Sequence, residues 1–129
     1  MWMERKIVTG EKFKAKSPLG YTVVCLDRQW RHISQGHSIM QKNKEAIIEA
    51  IEEPEYIYKD KERPEKREIY YGNSSTATYR DSGLYTKVVI NMPDEYNSEG
   101  EVVTAWPTRK IKEGGEDKKY DKRSTGQEK

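Results

Sequence analysis

The chain has 129 residues, 33% of them hydrophobic, and a formal net charge of +2 at pH 7. That suits one domain with a small core, and it gives no strong global field toward nucleic acid, so any RNA site must be a local cationic patch. A single Cys excludes an internal disulfide framework, two His and one Cys are too few for a four-ligand zinc site without carboxylates, and no apolar run reaches the about 20 residues of a transmembrane helix.

In chain order, the segment to Lys16 is mixed, with a short strand and turn expected in ERKIVTGEKF. Ser17 to Gly20 is a turn cluster. Tyr21 to Leu26 reads as a strand centred on Val23 and Val24, which makes Cys25 a buried structural thiol rather than a nucleophile. Asp27 is placed to cap a helix that runs to about Gln35 and stops at Gly36. Trp30, Ile33 and His37 share one side of that helix; Arg28 and His32 share another. Asn43 is a second candidate cap. Ile47, Ile48 and Ile51 form the apolar stripe of a second helix, which ends at Glu53 before Pro54.

Strands then dominate. EYIYK (55–59) and REIYY (67–71) flank the charged loop KDKERPEK, and Thr76 to Arg80 is a weaker strand candidate. Leu84 to Met92 alternates, with Leu84, Val88, Ile90 and Met92 on one face and Tyr85, Lys87 and Asn91 on the other. After the polar loop 93–100, Glu101 to Trp106 pairs back as a hairpin partner. Here regular alternation puts Val103 and Ala105 on one side and Val102, Thr104 and Trp106 on the other. Residues 113–129 carry almost no apolar side chain. They read as a disordered polar tail, leaving 1–112 as the single domain, and deleting residues 115–129 is expected to leave the melting temperature nearly unchanged. Helices first and a mainly antiparallel sheet after define an α+β class.

Hydroxyl, flat ring and positive charge close together are what one nucleotide and its phosphate require. Thr104, Trp106, Thr108, Arg109 and Lys110 supply them in one segment; the plain alternative is an amphipathic strand followed by a solvated basic turn. Arg67 with Tyr70 or Tyr71 offers a phosphate ligand and a stacking ring, or else a tyrosine ladder covering a helix. Lys87 is a phosphate ligand or an ordinary exposed lysine. His32 and His37 are the proton-carrying candidates, with structural roles as the alternative for each. There is no phosphate-cradling glycine loop and no paired metal-binding acids.

HISQGH (32–37), IIEAIEEPEYIY (47–58), IYY (69–71), KVVI (87–90) and VVTAWPTRKIK (102–112) occur in an order that resembles the phage-associated branch of the barnase–EndoU–colicin–RelE-like nuclease superfamily. The resemblance covers roughly Tyr21 to Lys112. Where related sequences often carry Arg-His-Pro after the helix, this chain has Gly36, His37 and Ser38. The resemblance implies N-terminal helices packed on an antiparallel sheet and metal-independent, cofactor-free RNA cleavage in a toxin or phage setting. RNA, and an antitoxin or immunity protein, are the implied partners. It assigns acid/base work to His37 or His32, and Thr104 and Trp106 to the terminal-strand hydroxyl and aromatic positions. Arg67, Lys87 and Arg109 would then carry charge, Thr104 a phosphate hydrogen bond, and Trp106 stacking or core support, with Tyr70, Tyr71 and Thr108 completing the substrate surface. The rival expectation is a catalytically inactive RNA- or protein-binding module of the same fold. A cytoplasmic location is the default expectation, since the start of the chain shows no signal-peptide pattern.

Overall fold

The computed structural model describes residues 10–111 and 118–123. Its order is β1 (Glu11–Lys16), β2 (Thr22–Leu26), α1 (Asp27–Gly36), a tight helical turn at Ser38–Lys42, α2 (Lys44–Glu52), β3 (Tyr56–Lys59), β4 (Arg67–Gly72), β5 (Tyr85–Asn91), β6 (Gly100–Thr108) and β7 (Lys118–Asp121). All seven strands form one sheet in the order β1-β2-β6-β5-β4-β3-β7. Every pairing is antiparallel except β2 with β6, which run parallel through Val23 opposite Gly100 and Val24 opposite Glu101. The fold is α+β, with its helices on the sheet.

The helices cover one face. Ile33 of α1, Met40 of the tight turn, and Ile47 and Ile51 of α2 are buried against Ile57, Tyr70, Val88, Ile90, Val102 and Ala105 of the sheet. Ile48 only reaches the margin of this core. Cys25 lies inside it; burial first, and the Asp27 charge second, push its thiol up to about 12. Gly72 allows the closest approach. A Cβ there would stand 2.7 Å from both Cα and Cβ of Ala50 on α2. Gly72→Ala is therefore expected to destabilise by about 1–3 kcal/mol through overpacking, although alanine favours strand backbone no less than glycine. Urea unfolding of the variant checks this; an unchanged midpoint would mean that α2 moves aside freely.

Several local expectations are corrected. Asp27 is the first residue of α1, not its cap. Leu26 takes the cap position, and the Asp27 amide bonds Gly10 O at 2.9 Å. Asn43 precedes α2, but its side chain does not cap the helix. Its Oδ1 accepts from Thr78 N at 2.7 Å, and its Nδ2 donates to Thr78 Oγ1 at 2.9 Å and Ile39 O at 2.8 Å. The Glu49 carboxylate likewise accepts from Thr76 N at 3.2 Å. Those side chains satisfy the backbone of the segment expected to be a weak strand, so Thr76–Arg80 needs no ladder and lies in turns leading to a helical turn at Arg80–Ser82.

The alternation assigned to β6 is also corrected. Val89 pairs with Thr104, but Ile90 pairs with Val102, which leaves Val103 as an extra residue in a bulge. The bulge returns Val102 to the buried side with Ala105, and leaves Thr104 and Trp106 on the opposite face.

The tail expectation fails for Lys118–Asp121, which form β7 on the outer edge of β3. The rest of the tail, apart from Lys122 and Arg123, lies outside the described residues, as does the start of the chain through Thr9. Strand β7 is anchored through a buried carboxylate. Glu68 is 0% exposed and faces the core. Lys119 forms an ion pair with it, Tyr21 OH donates to it, and Tyr70 OH lies 3.5 Å away. Burial pushes the Tyr70 phenol up to about 12. Burial, then its neighbour Tyr70 and Glu68, push Tyr21 higher still. Both phenols are thus neutral donors near pH 7, which is what a buried carboxylate needs around it.

Candidate functional site

The face opposite the helices gathers most of the chemistry. On β4, Arg67, Ile69 and Tyr71 point to it; on β5, Lys87, Val89 and Asn91; on β6, Thr104 and Trp106, because the bulge at Val103 sets their side. In β5 the register places Lys87 directly across from Trp106 on one side and from Tyr71 on the other. The Lys87 Nζ lies 4.7 Å from the centre of the Trp106 ring and 6.0 Å from that of Tyr71.

His37 reaches the same ring from elsewhere in the chain. Strand β2 pairs with β6 only at Gly100 and Glu101, so α1 lies along the next stretch of β6. Gln29 seals it there: its Nε2 donates to Val102 O at 3.2 Å and Val103 O at 3.1 Å. One helix length further on, α1 ends at Gly36, and the His37 ring stacks on Trp106 with centres 5.4 Å apart and planes 26° from parallel. His37, Trp106 and Lys87 therefore form one cluster, with Trp106 as its middle member.

A groove of about 420 Å³ runs along this face, lined by Lys59, Asp60, Lys61, Glu62, Arg67, Ile69, Lys87, Val89, Val103, Thr104 and Trp106. Four of these side chains are cationic and two are carboxylates, so a near-neutral chain concentrates positive charge here. Arg67 Nε donates to Asn91 Oδ1 at 3.0 Å, which fixes the plane of its guanidinium. By contrast, a hollow of about 230 Å³ near the β5–β6 turn carries Glu65, Asp94, Glu99 and Glu101 against Lys66, the wrong sign for phosphate.

Not every candidate residue joins the groove. Tyr70 faces the helices, 0% exposed, within hydrogen-bond reach of Tyr21 OH at 2.9 Å. It is a core residue, and a base cannot stack on it. Tyr71 does point to the groove side but is also 0% exposed, met edge-on by Tyr58 at 6.0 Å, so it underlies Lys87 rather than contacting a ligand. Thr108 sits further along β6 and donates to Lys110 O at 3.2 Å; Arg109 is exposed and donates to Ser82 O at 3.4 Å, and neither lines the groove. His32 is exposed on α1 and also stands outside it; His37 is exposed too and is not a lining residue, meeting the groove through its stacking on Trp106. The residues that sequence reading missed are Lys59, Asp60, Lys61, Glu62 and Asn91. A charged stretch between two strands signals a loop, but nothing in it says that the loop borders a sheet face.

Among the described residues no group of three or more His, Cys, Asp or Glu is placed to hold a metal ion, and no helix is long and apolar enough to cross a membrane. Comparison with known proteins finds no matching family, no matching curated protein and no matching solved structure. Chemically, the cluster offers an imidazole for proton transfer, a hydroxyl at Thr104, and fixed cations at Lys87 and Arg67 for charge developing on a phosphate.

Proposed function

We propose that the chain is a metal-independent endoribonuclease of the barnase–EndoU–colicin–RelE-like kind, acting in a toxin or phage setting. The observation that carries the reading is the meeting of His37, Trp106 and Lys87 beside a cation-rich groove that also holds Thr104 and Arg67. In the reaction, a base removes the ribose 2′-OH proton and the oxygen attacks the adjacent phosphorus. The P–O5′ bond breaks, and an acid protonates the leaving 5′-oxygen. His37 is the proton carrier. Arg67 and Lys87, joined by Lys59 and Lys61 of the loop, offset the charge on the phosphorane-like oxygens, and Thr104 gives a hydrogen bond. Trp106 holds His37 and Lys87 in place rather than serving as an open platform for a base.

Cleavage of single-stranded RNA should persist in EDTA and leave 2′,3′-cyclic phosphate and 5′-hydroxyl ends. Activity lost in EDTA and restored by magnesium, or products ending in 5′-phosphate, would sink this mechanism.

The second reading is an RNA- or protein-binding module without catalysis. It is favoured by the position of the histidines: His32 lies away from the groove, and His37 spends its ring on Trp106. RNA that binds with strong salt dependence and is never cut would select this reading.

A further inference from the structure

We propose that the outer edge of β3, with Glu68 beneath it, is a docking surface for an extended protein segment bearing a lysine or arginine. Strand β7 occupies it within the chain as a displaceable occupant. The inference does not depend on the nuclease reading.

The first argument is charge. Glu68 has a side chain only 1% exposed, on the core side of β4, where an ionised carboxylate is costly unless a cation joins it. Tyr21 and Tyr70 bring neutral hydroxyls. The cation comes from Lys119, whose side chain remains 32% exposed and enters from the sheet edge. The requirement is therefore local and chemical: an amine or guanidinium delivered from beside β3.

The second argument is geometry. In the β3–β7 pairing Ile57 faces Tyr120 while Tyr58 faces Lys118, so Lys119 is the extra residue of a bulge. The bulge turns its ammonium under β3 to Glu68, leaving Lys118 on the other face, 5.3 Å from the centre of the Tyr56 ring. Backbone pairing, one cation for Glu68, and a half-buried aromatic at Tyr120 make up the recognition. Any antiparallel segment offering those groups satisfies it, which is how sheet edges take up peptide strands.

The third argument is local stability. Strand β7 has four residues, and its backbone pairs with β3 alone. Once the Lys119–Glu68 pair and the Tyr120 packing are given up, it can leave the edge while β4 and β5 stay paired, an opening expected below global unfolding. Beyond Tyr58, β3 leads into Lys59–Glu62, which border the groove.

A labelled peptide of residues 117–123 tests this on the full chain. Lys119→Met in the chain weakens the built-in occupant and spares the receptor edge. The peptide should bind this variant at least about tenfold more tightly than it binds the unmodified chain, which keeps its own strand at high effective concentration. The same peptide with methionine for its Lys119 should bind the variant at least about tenfold more weakly. Equal binding of the two peptides to the variant, or equal binding of the first peptide to both chains, overturns the proposal. Hydrogen exchange on the unmodified chain gives an answer even if the variant does not fold. Excess peptide should speed exchange of the β7 amides without changing those of β4 and β5. Amides of β7 that exchange only with those of β4 and β5, or that ignore millimolar peptide, overturn it too.

Discussion

His37→Ala is expected to lower RNA cleavage at least about 100-fold, the usual contribution of a positioned acid or base, whereas His32→Ala should retain activity within about threefold. Both histidines are exposed and neither lines the groove, but His37 stacks on Trp106, which does line it and whose ring also lies under the Lys87 ammonium. Neither replacement removes a buried apolar side chain, so both variants should unfold within about 0.5 kcal/mol of the parent. Steady-state cleavage of one RNA, measured beside circular dichroism of each variant, separates lost chemistry from lost folding. Lys87→Met should fall nearly as far as His37→Ala, since it removes the cluster's cation. If His32→Ala is the inactive variant and His37→Ala is active, the proton carrier has been assigned to the wrong histidine. If the parent cuts no RNA while Lys87→Met weakens RNA binding, the groove is a binding surface only.

The layout of the fold follows from patterns the sequence states openly. Periodicity of 3.6 marks Ile47 and Ile51, and alternation marks Val88 and Ile90, because each element is long enough to show its buried face. What stayed hidden depends on contacts distant in sequence. Regular alternation along 102–106 gives the wrong face for Val102, since one extra residue at Val103 inverts the pattern and only the pairing with β5 exposes it. Thr76–Arg80 has strand-like residues, but Asn43, just before α2, and Glu49 on α2 supply hydrogen bonds a ladder would have made. Tyr70 and Tyr71 look alike as neighbours; the sheet sends one to the core and buries the other under Lys87. The candidate site was half legible. His37, Lys87, Thr104, Trp106 and Arg67 could be named because each carries suitable chemistry, yet their meeting rests on α1 lying along β6, a relation of tertiary structure that spacing does not encode.

The polar tail was misread for a related reason, and this leads to the second large effect. Composition finds too few apolar groups near Lys118–Asp121 to offset the entropy of ordering them. The strand is held instead by pairing with β3 and by the Lys119 ion pair with Glu68, an interaction whose buried half lies some fifty residues earlier in the chain. Lys119→Met should therefore cost about 3 kcal/mol, the low end for breaking a buried pair, because Lys119 is itself one-third exposed and Tyr21 still donates to Glu68. For a domain of this size that corresponds to a fall of roughly 10 °C in Tm. Glu68→Gln alone should also destabilise, since it sets an amide NH2 against the Lys119 ammonium. Together, Glu68→Gln with Lys119→Met should recover about 2 kcal/mol relative to the sum of the single changes, because no buried charge is then left without its counterion. Removing residues 115–129 takes away both strand and cation, so a drop larger than that of Lys119→Met is expected where composition alone foresees none. Thermal unfolding of these four chains decides the matter. A Lys119→Met chain that melts within about 2 °C of the parent would mean that water, not Lys119, stabilises the Glu68 charge, and that β7 adds little to the fold.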